Sequence, residues 1–314
     1  MAFLRAFGSW LPPRRVSNRE LAPLVDATPE WILEVTGIEE RRYAAEQDTV
    51  SGIGVLAAQD CLEKAGATAA ELGMILVASG SSDRFCPGPA SQIAAGLGAA
   101  STPALDIPVS SAGTLIGLIL AAQLAPAAGR VLVVGAEIMS RRISLEPEGK
   151  NTTILFGDGA GAALVDEEAG FARIADSCLY TDGASAEVLF VRDGHFHMDG
   201  SAVILHASRK MPRAINELLA RNLLTASQVE AFLLHQANLN LITRVAAALK
   251  TPLDRFFTNI ARYGNTSSAS LLIAADEWHC GRSGALAGPL IFSAFGSGLN
   301  WGALLAIPRE VASS

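Results

Sequence analysis

Short apolar runs alternate with longer segments of helical period along most of the chain. The short runs are bounded by glycine, proline or serine and are apolar at nearly every position, as expected for strands covered on both faces. Strands are predicted at 74–78, 104–107, 130–135, 163–165, 171–180, 231–234, 289–295 and 301–307. Helices are predicted at 27–35, 51–67, 89–97, 202–224 and 239–249, with two more beginning near residues 111 and 270. The rest of residues 1–50 predicts irregular edge structure. We therefore expect an α/β sheet that is mainly parallel in its middle, with helices on both faces.

The two halves of the chain repeat this scheme. Each half has a central helix that begins at a small polar turn, Ser110–Ser111 in the first and Asn265–Ser267 in the second. The halves show no sequence identity, and no low-complexity linker separates them. Because the chain is long for a single simple core, we predict an N-terminal half, 1–166, and a C-terminal half, 167–314. Because no linker separates the halves, we expect them to share one continuous core.

The turn Ser110–Ser111 precedes the uncharged run Leu115–Ala125, which is apolar on all sides and predicts a helix in the centre of a domain. A side chain near the start of such a helix lies at the positive end of its dipole, where a nucleophile is helped to carry negative charge. Ser111 is our candidate nucleophile, and the alternative is that both serines only cap the helix. The uncharged stretch 107–129 is long enough for a membrane span, but Pro108 and its position between strands favour a buried core helix.

Composition and charge exclude several classes of protein. The 314 residues carry a net charge of −7, which argues against binding to nucleic acid or to anionic membranes. The four cysteines are widely spaced and form no Cys-x-x-Cys pair, so a disulfide framework or zinc site is not expected and a reducing cytoplasm fits best. The first residues contain early charges and no apolar core, so we expect no signal peptide.

Polar residues at turns and strand ends are the other candidates for chemistry. His235 ends a buried apolar strand, where a ligand crevice often lies in an α/β sheet. Asn265 is either a helix cap or a catalytic amide. The tight loop Gly296–Gly298 has backbone amides that could face an oxyanion. His195 and His197 alternate as in a strand, and a solvent-facing pair is favoured over a metal site.

Five motifs follow one another along nearly the whole chain. They are Glu30-Trp31-Ile32 with Thr36-Gly37-Ile38 and Arg41-Arg42, Phe156-Gly157-Asp158-Gly159-Ala160-Gly161-Ala162, His235-Gln236-Ala237-Asn238, Gly264-Asn265-Thr266-Ser267, and Phe295-Gly296-Ser297-Gly298 with Trp301-Gly302. Together they resemble β-ketoacyl-acyl-carrier-protein synthase III, a condensing enzyme of the thiolase superfamily. The resemblance implies a thiolase-like fold in which two similar α/β halves form a five-layered αβαβα arrangement, assembled as a homodimer. It also implies acyl-CoA or acyl-carrier protein thioesters as substrates, with no metal and no redox cofactor.

The resemblance assigns roles to the candidate residues. In such enzymes a Cys, a His and an Asn meet at the bottom of a narrow tunnel. The Cys takes the acyl group, and the His and Asn hold a malonyl thioester carbonyl while CO2 leaves and the carbanion attacks. His235 and Asn265 match this pattern, and the backbone amides of Ser111 and Ser297 would form the oxyanion hole. The Cys position is Ser111, whose hydroxyl is a weak nucleophile without a base, so His235 would have to serve as that base.

This departure leaves several functions open. The chain could transfer or condense acyl groups through Ser111, or act only as a malonyl-thioester decarboxylase or hydrolase through His235 and Asn265. It could also be an inactive scaffold for an active condensing subunit, although the presence of His235 and Asn265 argues against this. Finally, Ser111 could be an engineered replacement of a natural cysteine.

The resemblance also predicts where substrates and partners bind. Trp31 and Lys150 align with the pair that clamps the adenine of CoA, although Lys150 stands where the family has arginine. Arg244 and Lys250 are the basic residues that remain on and after the helix that offers positive charge to an acidic carrier protein. Cys86 lies near the position where a bulky residue of the dimer partner limits acyl length, so its smaller side chain could admit a longer or branched acyl group.

Overall fold

A ten-stranded sheet forms the centre of the structure, a computed structural model that describes residues 1–99 and 101–309. The described strands are β1 (Phe3–Trp10), β2 (Arg14–Ser17), β3 (Glu40–Tyr43), β4 (Leu72–Ala78), β5 (Ala104–Ile107), β6 (Arg130–Ile138), β7 (Asp158–Asp166), β8 (Ala172–Thr181), β9 (Leu189–Arg192), β10 (His195–Met198), β11 (Ala231–Leu234), β12 (Phe256–Phe257), β13 (Leu290–Gly296) and β14 (Asn300–Pro308). The order in the large sheet is β5-β4-β6-β7-β1-β8-β14-β13-β11-β12, while β2 pairs with β3 and β9 with β10 in two small sheets.

The large sheet has the same pattern of strand directions from either edge. Strands β6, β4 and β5 are parallel at one edge, and β13, β11 and β12 are parallel at the other. Between them, β6, β7, β1, β8, β14 and β13 pair antiparallel. The prediction of a sheet that is parallel in its middle was therefore wrong. Parallel neighbours need long crossover connections. In this chain, the helices that make such connections lie in sequence between strands near the edges of the sheet, so the parallel pairs lie at the edges.

The boundary predicted between residues 166 and 167 lies directly after β7 and before β8. It separates two sets of five strands that occur in the same order from either edge of the large sheet. The division into 1–166 and 167–314 stays a prediction, and its last residues, 310–314, lie outside the described residues.

Helices lie outside the two half-sheets and also between them. The described helices are α1 (Asn18–Leu21), α2 (Pro29–Thr36), α3 (Val50–Ala65), α4 (Pro89–Gly96), α5 (Gly113–Ala128), α6 (Lys150–Thr153), α7 (Gly200–Arg221), α8 (Leu239–Ala248), α9 (Ile260–Tyr263) and α10 (Ser270–Cys280). Helix α5 contacts β4 and β6 on one side and β13 and β14 on the other, and α10 packs beside it. Helices α3 and α4 cover one outer face, and α7 and α8 cover the other. The layers are therefore αβαβα, as the resemblance implies.

The central helix α5 accounts for most of the uncharged stretch at 107–129. It is 16 residues long, and Leu115 and Leu118 are completely buried in the core between the two half-sheets. Among the described residues, no helix is both long and apolar enough to cross a membrane.

Strand β1 contradicts the prediction of irregular structure near the start of the chain. It lies in the middle of the large sheet, paired with β7 and β8, and its Phe7 is buried. The apolar pattern is interrupted at Gly8 because helix α3 approaches the strand there: a Cβ on Gly8 would lie 2.2 Å from the backbone nitrogen of Cys61. A position that must be glycine for packing therefore carried no hydrophobic signal.

Candidate active site

The turn between β5 and α5 holds Ser111 in a left-handed backbone conformation, with φ of 66°. Helix α5 begins at Gly113, and its N-cap is Ala112, so the interpretation of the two serines as helix caps is wrong. The carbonyl oxygen of Ser110 closes the turn by accepting hydrogen bonds from the N–H of Ala112 at 2.7 Å and of Ser297 at 3.2 Å. A residue other than glycine is costly in this conformation, and such strain is concentrated at functional sites.

Strand β11 delivers His235 to the same place. The His235 N–H donates to the carbonyl oxygen of Ser293 on the neighbouring strand at 2.9 Å, which continues the parallel pairing past the end of β11. The side chain is buried, and its Nδ1 lies 2.5 Å from the hydroxyl of Ser270. Burial lowers the pKa of His235 to about 3, so the imidazole is neutral near pH 7.

Asn265 enters the site from the turn that precedes α10. Its N–H donates to the carbonyl oxygen of Leu155 at 2.8 Å, and its own carbonyl oxygen accepts from Gly157 at 3.0 Å. Helix α10 has Ala269 as its N-cap, so Asn265 does not cap that helix. The side-chain Oδ1 accepts from the N–H of Ser267 at 2.8 Å. Among the described residues, the Nδ2 group of Asn265 has no acceptor, so it is available to donate to a ligand in the cavity.

Ser111, His235 and Asn265 line one narrow cavity of about 70 Å³. The rest of its wall is mostly apolar and is formed chiefly by Leu155, Phe156, Leu189, Phe196, Met198, Val203, Ile204, Met211, Leu241 and Phe295. Within the described part of the chain, no hydrogen bond joins the Ser111 hydroxyl to His235 or to Asn265. The arrangement suits a slender ligand whose polar end meets the three residues while its stem contacts apolar side chains.

The two amides predicted to form an oxyanion hole are neighbours, and each already has an acceptor. The Ser111 N–H donates to the Ser267 hydroxyl at 3.1 Å, and the Ser297 N–H donates to the carbonyl oxygen of Ser110 at 3.2 Å. The Ser297 hydroxyl also accepts from the Ser110 N–H at 3.0 Å. A developing oxyanion would have to replace these acceptors, so the hole stays a prediction.

A second, larger pocket of about 890 Å³ adjoins the same turn. Ser110 and Ser297 belong to its wall, and Leu189 lines both this pocket and the narrow cavity. Cys86 is exposed and belongs to neither wall. Its predicted role in limiting acyl length therefore rests on a second subunit.

The predicted CoA-binding pair is brought together at the surface. The Lys150 ammonium lies 4.5 Å from the centre of the Trp31 ring and donates to the carbonyl oxygen of Asp26 at 2.6 Å. The predicted carrier-protein residues, Arg244 on α8 and Lys250 after it, are both exposed. Neither forms a salt bridge within residues 1–99 and 101–309.

The histidine pair of β10 is not placed like a metal site. His195 and His197 are exposed, and the ring of His197 stacks on Phe190 with centres 5.0 Å apart. In the part of the chain that the structure describes, no three His, Cys, Asp or Glu side chains are grouped as metal ligands.

Two buried polar residues that the sequence analysis did not single out form hydrogen bonds with the segments that hold the site. The carboxylate of Glu137 is buried and accepts from the Ser81 hydroxyl at 2.5 Å and from the Ser268 N–H at 3.2 Å. Arg41, also buried, donates to the carbonyl oxygen of Ile154 at 2.8 Å, next to the cavity wall. Burial lowers the pKa of Arg41 to about 10. Arg41 belongs to one of the five motifs, whereas Glu137 gave no signal.

The Gly157–Gly161 segment is a tightly packed turn followed by the start of strand β7. A Cβ on Gly157 would lie 2.4 Å from the carbonyl oxygen of Tyr263. The Asp158 carboxylate accepts from the N–H of Ala44 and of Ser140, both at 2.8 Å. Burial raises the pKa of Asp158 to about 6. The close packing of this segment therefore holds in place the adjoining part of the cavity wall, Phe156, which pairs with Asn265.

Comparisons with known proteins agree with this fold. Residues 105–183 match the family model for 3-oxoacyl-[acyl-carrier-protein (ACP)] synthase III, and residues 219–306 match the model for the C terminal part of that enzyme. The chain is 38% identical over 324 residues to beta-ketoacyl-[acyl-carrier-protein] synthase III of Rhodobacter capsulatus, covering 97% of this chain and 98% of that protein. It is 37% identical over 326 residues to the enzyme of that name from Oleidesulfovibrio alaskensis, with the same coverage of both chains.

Solved structures show the same relationship. The crystal structure of 3-oxoacyl-[acyl-carrier-protein] synthase III from Aquifex aeolicus superposes with a TM-score of 0.93 at 32% identity, covering 98% of this chain and 100% of that one. The priming beta-ketosynthase from the R1128 polyketide biosynthetic pathway gives a TM-score of 0.89 at 32% identity, covering 99% and 97%. The chain belongs to the β-ketoacyl-acyl-carrier-protein synthase III family and is a condensing enzyme of the acyltransferase type with a thiolase-like fold.

Proposed function

We propose that this enzyme binds a malonyl thioester between His235 and Asn265 and joins its carbanion to an acyl group carried by Ser111. The observation that carries the proposal is the convergence of these three side chains on one narrow, mostly apolar cavity. The thioesters would be those of CoA or of the acyl-carrier protein named in the relatives' descriptions. The reaction serves fatty acid or polyketide synthesis and needs no metal and no redox cofactor.

Decarboxylation is the step that the geometry supports most directly. The Nδ2 group of Asn265 has no acceptor in the described structure, and a neutral His235 imidazole offers an N–H without bringing a positive charge into the cavity. Two donors aimed at the thioester oxygen stabilise the enolate that forms as CO2 leaves. The apolar wall disfavours the charged malonyl carboxylate more than the enolate, whose charge is spread out and hydrogen-bonded.

Acylation of Ser111 requires that its hydroxyl lose a proton and that the site stabilise a tetrahedral oxyanion. The Ser111 oxygen attacks the donor thioester, the C–S bond breaks, and the departing thiolate takes up the hydroxyl proton and leaves as a thiol. The backbone amides of Ser111 and Ser297 would hold the tetrahedral oxyanion once they release their present acceptors. A cysteine at this position would need no base, because its thiolate forms near neutral pH at a helix N-terminus.

A second function, decarboxylation without condensation, is favoured by one contact. His235 Nδ1 lies against Ser270, and the Ser111 hydroxyl has no hydrogen bond to the imidazole in the described structure. In that case malonyl thioester and a proton from water give acetyl thioester and CO2.

Intact-protein mass spectrometry separates these functions. We expect acyl-CoA donors to add an acyl mass to the wild-type chain and not to Ser111→Ala. We expect Ser111→Cys to be acylated at least about tenfold faster, because a thiolate is the stronger nucleophile. Acylation of Ser111→Cys alone would exclude an acyl-serine and leave decarboxylation as the function. Loss of both acylation and CO2 release in all variants would favour a scaffold.

The buried neutral imidazole also predicts a pH-dependent stability. The pKa of His235 is lower in the folded chain than in the unfolded chain, so unfolding takes up a proton below about pH 6.5. Relative to His235→Gln, we expect the wild type to lose about 2 kcal/mol of unfolding free energy between pH 7 and pH 5. Urea unfolding of both proteins at the two pH values measures this. A constant difference would show that the pKa of His235 is the same in the folded and the unfolded chain.

The surface residues predict separate recognition of the two carriers. Lys150 and Trp31 are in contact, as a flat adenine clamp requires, whereas Arg244 is an exposed charge suited to an acidic protein. We expect Lys150→Glu to raise KM for acyl-CoA about tenfold with little change for acyl-carrier protein, and Arg244→Glu to do the reverse. Steady-state kinetics of each variant with both donors checks this. Equal effects on both donors would contradict separate sites.

We further propose that the protein forms a homodimer through strand β5. The four free cysteines favour a reducing cytoplasm as its location. Strand β5 is an edge of the large sheet, and Leu105 on it is 54% exposed. An exposed apolar edge invites pairing with a second copy. In such a dimer the exposed Cys86 of one subunit would approach the acyl site of the other.

Leu105→Asp tests this dimer. Leu253 lies near the opposite edge, is 42% exposed, and provides Leu253→Asp as the matched control. Light scattering after gel filtration should give a dimer mass for the wild type and for Leu253→Asp. It should give a monomer for Leu105→Asp, because a charge at the pairing edge repels its copy. A monomeric wild type would overturn the proposal.

A further inference from the structure

We propose that Ser270 is a positioning residue that holds His235 as the Nε2–H tautomer, so that this histidine donates to the thioester carbonyl and is not the base for Ser111. The inference rests on the proposed malonyl-thioester function and specifies which of two roles His235 takes there.

Ser270 is the first residue of α10, and its hydroxyl is enclosed between two groups of the strand end. Its Oγ lies 2.5 Å from His235 Nδ1 and 3.1 Å from the backbone nitrogen of Gln236. The residue is 2% exposed. A backbone N–H can only donate, so the hydroxyl accepts from Gln236 and keeps its own hydrogen for another partner.

Two hydrogen-bond arrangements of Ser270 and His235 are possible, and only one of them gives the Ser270 hydroxyl hydrogen an acceptor. When Ser270 donates its hydrogen to Nδ1, the hydroxyl has one acceptor and one donor partner, and the imidazole carries its single hydrogen on Nε2. When Nδ1 carries the hydrogen, the hydroxyl accepts twice, and its own hydrogen has no acceptor among the described residues. A buried donor without an acceptor is costly, so the first arrangement is favoured.

The chosen tautomer decides the chemistry at the cavity. His235 belongs to the cavity wall and its Nδ1 is turned to Ser270, so Nε2 is the nitrogen that meets a ligand. An Nε2–H group donates to the thioester oxygen as the bond to the carboxylate breaks and its electron pair forms the enolate. The same nitrogen has no lone pair to receive the hydroxyl proton of Ser111. Decarboxylation therefore proceeds without Ser111, and acylation of Ser111 lacks a base.

Nitrogen NMR of the full-length protein labelled with 15N-histidine tests the tautomer directly. The chain has five histidines, and His235→Gln assigns the signal. We expect a protonated-type shift at Nε2 and an unprotonated-type shift at Nδ1 in the wild type. Ser270→Ala should give mixed or reversed tautomers, and Ser270→Thr, which keeps the hydroxyl, should restore the wild-type pattern.

The matched control is Ser293→Ala, which removes a buried hydroxyl that donates to the carbonyl oxygen of Gly302 and does not touch the imidazole. It should leave the tautomer unchanged. A wild-type Nδ1–H tautomer would overturn the proposal. So would an Nε2–H tautomer that persists in Ser270→Ala, because Ser270 would then not be what fixes it.

Kinetics link the tautomer to function. With malonyl-CoA, we expect Ser270→Ala to reduce kcat for CO2 release about tenfold with little change in KM, and Ser270→Thr to recover most of the rate. If the NMR result holds and no malonyl thioester is decarboxylated, the proposed function fails while the role of Ser270 stands. A Ser270→Ala rate equal to that of the wild type would show that the contact has no role in catalysis.

Discussion

The packing of the turn before α10 against the start of α5 is the contact on which the site depends. The Thr114 hydroxyl donates to the carbonyl oxygen of Ser268 at 2.7 Å, and the Ser268 hydroxyl donates to that of Val109 at 2.9 Å. The approach is close enough that a Cβ on Gly113 would lie 3.2 Å from the Ser268 hydroxyl. One segment belongs to each half of the chain. The nucleophile position and the His–Asn pair therefore meet only when the two half-sheets are packed together.

Glu137 extends this contact into the N-terminal sheet. Its buried carboxylate accepts from the Gly80 N–H, the Ser81 hydroxyl and the Ser268 N–H, and it makes no salt bridge in the described structure. Removing a carboxylate from water is costly unless its oxygens are hydrogen-bonded, and here small donors from two loops do this. These hydrogen bonds connect the segment after β4 to the turn that carries Asn265. A substitution of Glu137 would therefore remove hydrogen bonds from both segments at once.

Sequence patterns predicted local structure well where burial was uniform. Strands β5 and β11 were predicted at their observed limits, because short apolar runs ended at polar turns. Strand β1 was missed because Gly8 is required by the approach of α3, which is a tertiary constraint. The antiparallel middle of the sheet was missed because strand direction depends on which strands become neighbours, and an apolar run does not contain that information.

The candidate site was predicted in part. Residue patterns alone left Ser111 and Asn265 as either caps or catalytic groups, and it was the order of motifs that favoured chemistry. The supporting hydroxyls could not be found in this way. Ser270 stands 35 positions from His235, and a serine at the start of a helix has the same local pattern whether or not it contacts a distant imidazole. The left-handed conformation of Ser111 is likewise set by the fold, since its neighbours in sequence do not require it.

The substitution of a hydroxyl for a thiol places two opposite demands on one histidine. As a base for Ser111, the imidazole must present a lone pair to the cavity, whereas as a donor to a thioester it must present an N–H. A cysteine removes the conflict, since it ionises without a base and leaves the histidine free to donate. Burial keeps His235 neutral, and with Ser270 donating to Nδ1 as proposed, the imidazole meets the second demand and not the first. On the proposed mechanism, the surroundings of His235 favour formation of the carbanion, and we expect the loading of Ser111 to be the slow step of condensation.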